Sequence, residues 1–173
     1  MQGELHPISG PWPGQLAILR RPRGHDWLTD EVRTWRVAGV DVVVSLLTNE
    51  ETVELGLTEE HRAAADEGLR FISFPIADYS VPKSEESVIH LMRQLNELLS
   101  AGKHVGIHCR QGIGRSGLIA ASLLVVVGEE PSEAFAHVAA GRGAMVPDTA
   151  AQREWVCNLA KNVDFQSPFS FAK

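Results

Sequence analysis

Residues 108–117 read HCRQGIGRSG and place a cysteine, several glycines and an arginine between two segments of different character. Before them, residues 103–108 alternate around Val105 and Ile107, a pattern that predicts a short buried strand. After them, residues 118–127 form an apolar run that is long enough for a helix. The segment is therefore expected to be a loop that leads from a strand into the N-terminus of a helix.

Such a loop is suited to binding an anion, because the first turn of a helix carries unpaired N–H groups and the positive end of its dipole. Gly112 and Gly114 allow the backbone to curl so that successive N–H groups point inward as an anion nest. Arg115, six residues after Cys109, can return a planar guanidinium to two phosphate oxygens. A helix N-terminus and a nearby cation favour the thiolate, so we expect Cys109 to be an activated nucleophile.

The same residues permit a second interpretation, because 112–117 also spell the G-x-G-x-x-G pattern of dinucleotide-binding folds. The predicted strand comes late in the chain, however, and leaves little sequence for further strand–helix units. The acidic residues about 20 positions on, Glu129, Glu130 and Glu133, fall at a turn. The pattern therefore favours a phosphate loop in a cysteine-dependent phosphatase.

The composition predicts one ordinary globular domain. The 173 residues are 44% hydrophobic and 22% charged, and we expect a single domain over 1–173 with a lead-in at 1–15 and a tail at 164–173. The net charge of −6 argues against nucleic acid as a partner. No run approaches 18 apolar residues, so no membrane span is expected.

The two cysteines, Cys109 and Cys157, make no disulfide framework and fit a reducing compartment. With prolines and glycines breaking up the N-terminal segment, the sequence predicts no secretory signal and a cytoplasmic location. The seven histidines lack the spacing of metal ligands, so neither a metal nor a cofactor is expected.

Strands and helices alternate along the chain, which predicts an α/β sheet. A dense β-branched run at 40–47 indicates a strand that is covered on both faces. The other predicted strands are 15–20, 69–74 and 103–108. The predicted helices run from an N-cap at Thr29 to Gly39, over 49–54 and 58–67, from a cap at Ser84 to Gly102, and over 118–127, 132–140 and 148–161.

A phosphatase needs a group that protonates the leaving oxygen, and Asp78 is the candidate. It follows a predicted strand at the sheet edge where sites of α/β proteins collect. The alternative is a turn aspartate that hydrogen-bonds its own backbone. Asp148 is a rival acid, but its position before a predicted helix is typical of an N-cap.

Three further features carry open alternatives. His108 either donates to the backbone beneath the loop and stabilises the thiolate, or is a buried strand histidine. Ser116 is expected to hydrogen-bond the sulfur of Cys109, to cap the helix, or both. The basic run RRPRG at 20–24 is either a solvated turn or brings Arg21 or Arg23 to the rim of the phosphate site.

With these residues, the chain resembles the small dual-specificity branch of the protein tyrosine phosphatase superfamily, which includes kinase-associated phosphatase and bacterial relatives. The resemblance spans 40–159 and rests on FPIADYSVP at 74–82 and on HCRQGIGRSG. It implies a mixed, mostly parallel sheet flanked by helices, a phosphocysteine at Cys109, and Asp78 as the acid. The later segment GRGAMVPDTAAQ, 141–152, is also similar and implies that Gln152 positions water. The implied phosphate-binding residues are Arg110, Gln111, Gly112, Ile113, Gly114 and Arg115.

The function expected from this resemblance is hydrolysis of phosphate monoesters on a phosphorylated protein or peptide. Phosphotyrosine is the first expectation, and the short chain indicates a shallow site that is open to phosphoserine and phosphothreonine. Two alternatives remain, a non-catalytic module that binds phosphoproteins and a phosphatase for a non-protein phosphate such as a phosphoinositide. The loop residues Arg110, Gln111 and Ile113 differ from the lysines typical of phosphoinositide phosphatases. The sequence does not indicate an oligomeric state.

Overall fold

A computed structural model describes residues 4–162, and the tail expected at 164–173 lies outside this part of the chain. The described residues contain five strands and seven α-helices. The strands are β1 (Leu5–Ile8), β2 (Leu16–Leu19), β3 (Val42–Ser45), β4 (Arg70–Ser73) and β5 (Val105–His108). The helices are α1 (Leu28–Val37), α2 (Asn49–Glu54), α3 (Glu60–Asp66), α4 (Glu85–Ser100), α5 (Gly114–Val126), α6 (Pro131–Arg142) and α7 (Ala150–Asn162).

The strands form one mixed sheet in the order β1-β2-β5-β3-β4. The strand β1 pairs antiparallel with β2, and the other neighbours are parallel. The strand β5 lies in the middle, where Val105 pairs with Leu16 on one side and Val42 on the other. Every residue of β2, β3 and β5 is buried. This confirms the expected α/β fold with a mixed, mostly parallel sheet.

Helices cover both faces of the sheet. Because successive side chains of a strand point to opposite faces, Val44 packs into one apolar cluster and Val43 into the other. The larger cluster includes buried residues of α4, α5, α6 and α7. The smaller cluster includes residues of α1 and α3, among them Trp35. Helix α5 is buried along its whole length, as its apolar run predicts.

Three predicted boundaries differ from the structure. The lead-in at 1–15 contains β1, whose Pro7 is tolerated because the strand lies at the sheet edge. Helix α1 begins at Leu28 directly after a 3₁₀ turn at His25–Trp27, so Thr29 is not its N-cap. Helix α5 begins inside the glycine-rich segment, because the end of the loop already forms the first helical turn.

The carboxyl ends of β3, β4 and β5 meet at one edge of the sheet. The loops that follow these strands carry Glu51 on α2, Asp78 before α4, and Cys109 before α5. This edge is where α/β sheets place their ligands. No helix within residues 4–162 is long and apolar enough to cross a membrane.

Candidate active site

The loop after β5 curls around the sulfur of Cys109, which is 3% exposed. The backbone N–H of Gly112 donates to Sγ at 3.2 Å. Gly112 has φ of +69°, a left-handed conformation that favours glycine, and a Cβ there would approach Cγ2 of Ile18 at 3.1 Å. Helix α5 starts at Gly114, so the sulfur is close to the positive end of a helix dipole.

Two arginines from outside the loop hold its carbonyl groups. Arg142 of α6 donates from Nε to the carbonyl of Gly112 at 2.8 Å and from Nη2 to that of Gln111 at 3.2 Å. Arg21 donates from Nε to the carbonyl of Arg110 at 3.4 Å. The N–H and C=O of one planar peptide unit point in opposite directions. Carbonyls held on the outside therefore direct the next N–H groups toward the centre of the loop, as an anion nest requires.

Arg115 is 1% exposed and is fixed by acceptors on three sides. Its two Nη atoms donate to the two carboxylate oxygens of Glu51 at 2.6 and 2.9 Å. Nη1 also donates to the carbonyl of Ile76 at 2.9 Å, and Nη2 lies 2.9 Å from Oδ1 of Asp78. Nε is buried and has no hydrogen-bond partner among the described residues.

The electrostatic environment keeps this guanidinium charged. Burial alone would lower the pKa of Arg115, but its hydrogen bonds to Glu51 and the charges of Cys109, Glu51 and Asp78 raise it overall. The converse holds for Glu51: burial would raise its pKa, while Arg115 and the N–H of Thr48 lower it overall. The two side chains therefore stabilise each other as a buried ion pair.

Asp78 lies in the loop between β4 and α4, with its side chain 38% exposed. Its Oδ1 faces Arg115 and also accepts the N–H of Tyr79 at 3.1 Å. Tyr79 takes a left-handed φ of 55° and is exposed. Asp78 therefore makes the local backbone bond expected of a turn aspartate and, in addition, faces the arginine of the loop.

Gln152 of α7 is fully buried and connects two segments. Its Oε1 accepts the N–H groups of Asp148 at 3.1 Å and Thr149 at 3.2 Å. Its Nε2 donates to the carbonyl of Ser80 at 3.0 Å. The side chain thus ties the loop that carries Asp78 to the start of α7. That it also positions water stays a prediction.

Asp148 does not cap α7, contrary to the sequence interpretation. Thr149 fills that position, because its Oγ1 accepts the N–H of Gln152 at 3.1 Å. The Asp148 carboxylate lies instead against Gly114, where Oδ2 takes up the space that a Cβ would need. Burial and the charge of Asp78 raise the pKa of Asp148, and the N–H of Gly114 and the charge of Arg115 offset part of this rise.

His108 is fully buried, and its Nε2 lies 2.7 Å from Oε1 of Glu60, which is also buried. The two atoms are close enough for a hydrogen bond, but the imidazole and the carboxylate are not oriented to form one. The ring of Trp35 lies 5.7 Å away between centroids. Within residues 4–162 His108 makes no side-chain hydrogen bond to the loop backbone, so the expected donation beneath the loop is not observed.

Ser116 is fully buried, and its Oγ has no hydrogen-bond partner in the described part of the chain. The expected bond to the sulfur of Cys109 is therefore absent there. Ser116 does not cap the helix either, because α5 begins earlier and Ile113 occupies the N-cap position.

The remaining side chains near the loop point to other partners. Arg110 pairs with Glu54 at 2.6 Å. Gln111 is exposed and Ile113 is partly buried. In the RRPRG run, Arg21 reaches the loop, whereas Arg23 pairs with Glu31 at 2.6 Å and stacks on Trp27.

Comparison with known proteins identifies the family. Residues 18–129 match the family model described as "Polymorphic toxin system, DSP-PTPase phosphatase". The chain belongs to the DSP-PTPase phosphatase family. The resemblance of this chain to the dual-specificity phosphatases is therefore confirmed.

One curated relative is "Putative tyrosine phosphatase 197R" of Invertebrate iridescent virus 6. It is 38% identical over 97 residues, which are 52% of this chain and 32% of the viral protein. The chain thus aligns with about a third of the length of that relative.

Solved structures show the same fold. Kinase-associated phosphatase, in a form whose catalytic cysteine is replaced by serine, has a TM-score of 0.84 at 19% identity, covering 97% of this chain and 98% of that one. Tk-PTP in its active form has a TM-score of 0.77 at 27% identity, covering 94% and 100%. PTPMT1 in complex with PI(5)P has a TM-score of 0.68 at 20% identity, covering 84% and 91%.

Three charged residues beside these side chains were not predicted from the sequence. Glu51 holds Arg115, Glu60 lies beside His108, and Arg142 holds two carbonyl groups of the loop. The sequence signal at Glu51 is a capping box, in which Thr48 and Glu51 satisfy each other's backbone N–H groups. This motif predicts a helix start and gives no sign of a partner for Arg115. Glu60 and Arg142 have no local signal, because their partners are distant in the sequence.

Proposed function

We propose that this phosphatase hydrolyses phosphate monoesters through a phosphocysteine on Cys109. The observation that carries the proposal is the buried, unpartnered Nε of Arg115 at the loop that encloses the sulfur. A buried donor without a partner costs about 1–3 kcal/mol, and an acceptor oxygen would recover this energy. A phosphate dianion supplies such oxygens both to Arg115 and to the N–H groups of the loop.

The proposed reaction begins with attack of the Cys109 thiolate on phosphorus, opposite the leaving oxygen. The charge on the transferring phosphoryl group is stabilised by Arg115 and by backbone N–H groups of the loop, of which that of Gly112 points to the sulfur. The proposed donors are the N–H groups of Arg110, Gln111, Gly112 and Ile113, and that of Gly114 bonds to Asp148 in this structure. Because Glu51 holds the guanidinium in place, little reorganisation is needed when the substrate binds.

Asp78 is proposed as the acid that protonates the leaving oxygen. Its partly exposed side chain is accessible to a leaving group that extends out of the loop. Once the proton has left, the carboxylate forms the ion pair with Arg115 that this structure contains. We expect Asp78→Asn to slow turnover and to flatten the basic limb of the pH profile, and an unchanged basic limb would remove Asp78 from this role.

Phosphotyrosine in a protein is the proposed first substrate, with phosphoserine and phosphothreonine as further substrates. The tyrosine phosphatase name of the viral relative supports this assignment. A phosphoinositide is the second candidate, because PTPMT1 was solved with PI(5)P. The pairing of Arg110 with Glu54 favours substrates with a single phosphate, since it occupies a cation beside the loop.

The first experiment measures hydrolysis of p-nitrophenyl phosphate, phosphotyrosine, phosphoserine and phosphothreonine peptides, and PI(5)P vesicles, without added metal and under reducing conditions. We expect wild type to hydrolyse the phosphotyrosine peptide and Cys109→Ser to be inactive. Cys157→Ser is the matched control, because it removes the other free thiol of the described residues. An inactive wild type that still binds the phosphopeptide would instead indicate a docking module, and preference for PI(5)P would indicate the lipid substrate.

A further inference from the structure

Four charged side chains of alternating sign form a row that begins at the buried Arg115. Its Nη2 donates to Oε1 of Glu51 at 2.9 Å. The same carboxylate oxygen lies 3.8 Å from Nη1 of Arg110. Arg110 in turn donates to both carboxylate oxygens of Glu54, at 2.6 and 3.2 Å. One oxygen atom of Glu51 therefore separates the guanidinium group of Arg110 from that of Arg115.

The outer half of this row is open to solvent. The side chains of Arg110 and Glu54 are 33% and 60% exposed, whereas Arg115 and Glu51 are buried. The hydrogen bond and the charge of Arg110 lower the pKa of Glu54, so its carboxylate is ionised at neutral pH. Arg110 directly follows Cys109, and the exposed ion pair therefore borders the loop that encloses the sulfur.

The other two arginines that contact the loop from outside have different partners. Arg142 and Arg21 donate to backbone carbonyl groups of the loop. Among these three arginines, Arg110 is the one that pairs with a carboxylate within residues 4–162. An acidic group of a substrate would have to compete with Glu54 for the donors of Arg110. Glu54 therefore determines whether the guanidinium of Arg110 is available at the rim of the loop.

We propose that Glu54 is a specificity-determining residue that directs this phosphatase to phosphotyrosine flanked by neutral or basic residues. An acidic residue beside the phosphotyrosine must either displace Glu54 from Arg110 or lie close to a like charge, and both are unfavourable. A basic residue is instead attracted by the exposed carboxylate. Exposed charges interact over about 10 Å at an ionic strength of about 0.1 M, so a residue adjacent to the phosphotyrosine is within range. The inference rests on the proposed function, because it concerns the substrate bound at the same loop.

The test compares three phosphotyrosine peptides that carry alanine, aspartate or lysine on both sides of the phosphotyrosine. Wild type is expected to have a lower kcat/KM for the aspartate peptide than for the other two. Glu54→Gln should raise kcat/KM for the aspartate peptide relative to the alanine peptide by about fivefold, since it frees Arg110. This gain should largely disappear at an ionic strength of about 1 M, where charges are screened beyond about 3 Å.

Two further variants identify the cause of the gain. The double variant Glu54→Gln/Arg110→Gln should lose it, because no guanidinium is left at this position to bind the aspartate. Glu50→Gln is the matched control, since this exposed carboxylate lies on the same helix and Lys83 is the cation that acts on its charge. The proposal is overturned if Glu54→Gln keeps the wild-type preference for alanine over aspartate, if Glu50→Gln shifts this preference equally, or if the double variant retains the gain.

Failure of the proposed function gives a different result, because wild type would then be inactive on all three peptides or Cys109→Ser would be as active as wild type. The role of Glu54 is still tested in that case by peptide binding. Fluorescence anisotropy measures the affinities of Cys109→Ser for the three peptides with and without Glu54→Gln, and an unchanged ratio of affinities would contradict the proposal. Thermal melting of each variant separates these outcomes from loss of fold.

Discussion

Nε2 of His108, the residue before Cys109, lies 2.7 Å from Oε1 of Glu60, and both side chains are shielded from solvent. The pair joins α3 to the end of β5, on the face of the sheet opposite to α5. Two buried titratable groups in contact depend on each other, because removing one leaves the other without compensation in an apolar environment.

We expect Glu60→Leu to destabilise the protein by about 3 kcal/mol or more, since His108 would lose its polar neighbour. The double variant Glu60→Leu/His108→Phe should be more stable than the sum of the single changes predicts. Urea denaturation measures all three, with Glu59→Leu on the same helix start as an exposed control. Strictly additive losses would show that the two side chains do not interact.

The Glu51 carboxylate should make stability depend on pH. Its pKa lies below the ordinary 4.5, so folding favours the ionised form. The stabilisation is present above that value and is lost as the pH falls through the lower folded-state pKa. Glu51→Gln should therefore cost about 3 kcal/mol at neutral pH and progressively less in acid. Urea denaturation of both proteins across this range measures the difference, and a constant difference would contradict the ion pair with Arg115.

Gln152→Ala should loosen the loop that carries Asp78. It removes the donor to the carbonyl of Ser80 and the acceptor for two N–H groups at the start of α7. We expect a loss of about 2 kcal/mol in stability and a lower kcat. Tryptic cleavage after the exposed Lys83 reports on the loop directly and should become faster. Gln94→Ala on α4 is the control. Equal rates of cleavage after Lys83 in the two variants would show that Gln152 does not hold the loop that carries Asp78.

Arg142→Lys should weaken anion binding more than it slows chemistry. Lysine cannot hold the carbonyls of Gln111 and Gly112 together, so the N–H groups of the loop become less well ordered. We expect inhibition by inorganic phosphate and vanadate to weaken about tenfold, or about 1.4 kcal/mol. Arg62→Lys, an exposed change, provides the comparison. Unchanged inhibition constants would mean that the loop keeps its shape without Arg142.

The sequence predicted what local patterns encode. The alternating pattern before Cys109 and the apolar run after it predicted a strand and a helix on either side of the loop, and these are β5 and α5. The run of β-branched residues at 40–47 predicted the buried strand β3. The start of α5 was wrong because the glycine-rich residues have low helix propensity and are held helical by the tertiary structure. The strand β1 was missed because its stability comes from pairing with β2 rather than from its own composition.

The site was predicted less completely than the fold. Asp78 and Arg115 meet at 2.9 Å, as two candidates for one site should. Their supporting residues could not be found from spacing, because Arg142, Glu60 and Glu51 reach their partners only after the sheet has formed. The prediction that Asp148 caps α7 was wrong for a related reason. Thr149 accepts the N–H of Gln152 at the start of the helix, and the Asp148 carboxylate lies against Gly114.

The central position of β5 has a consequence for biosynthesis. Val105 pairs with Leu16 and with Val42, so the strand that ends at the loop closes the sheet between two segments made much earlier. During translation β2 and β3 emerge first and remain unpaired with each other until β5 follows, which leaves apolar strand edges open to chaperones or to aggregation. Contacts between such distant segments also slow folding. The loop that follows β5 therefore takes its shape only after most of the sheet has been made.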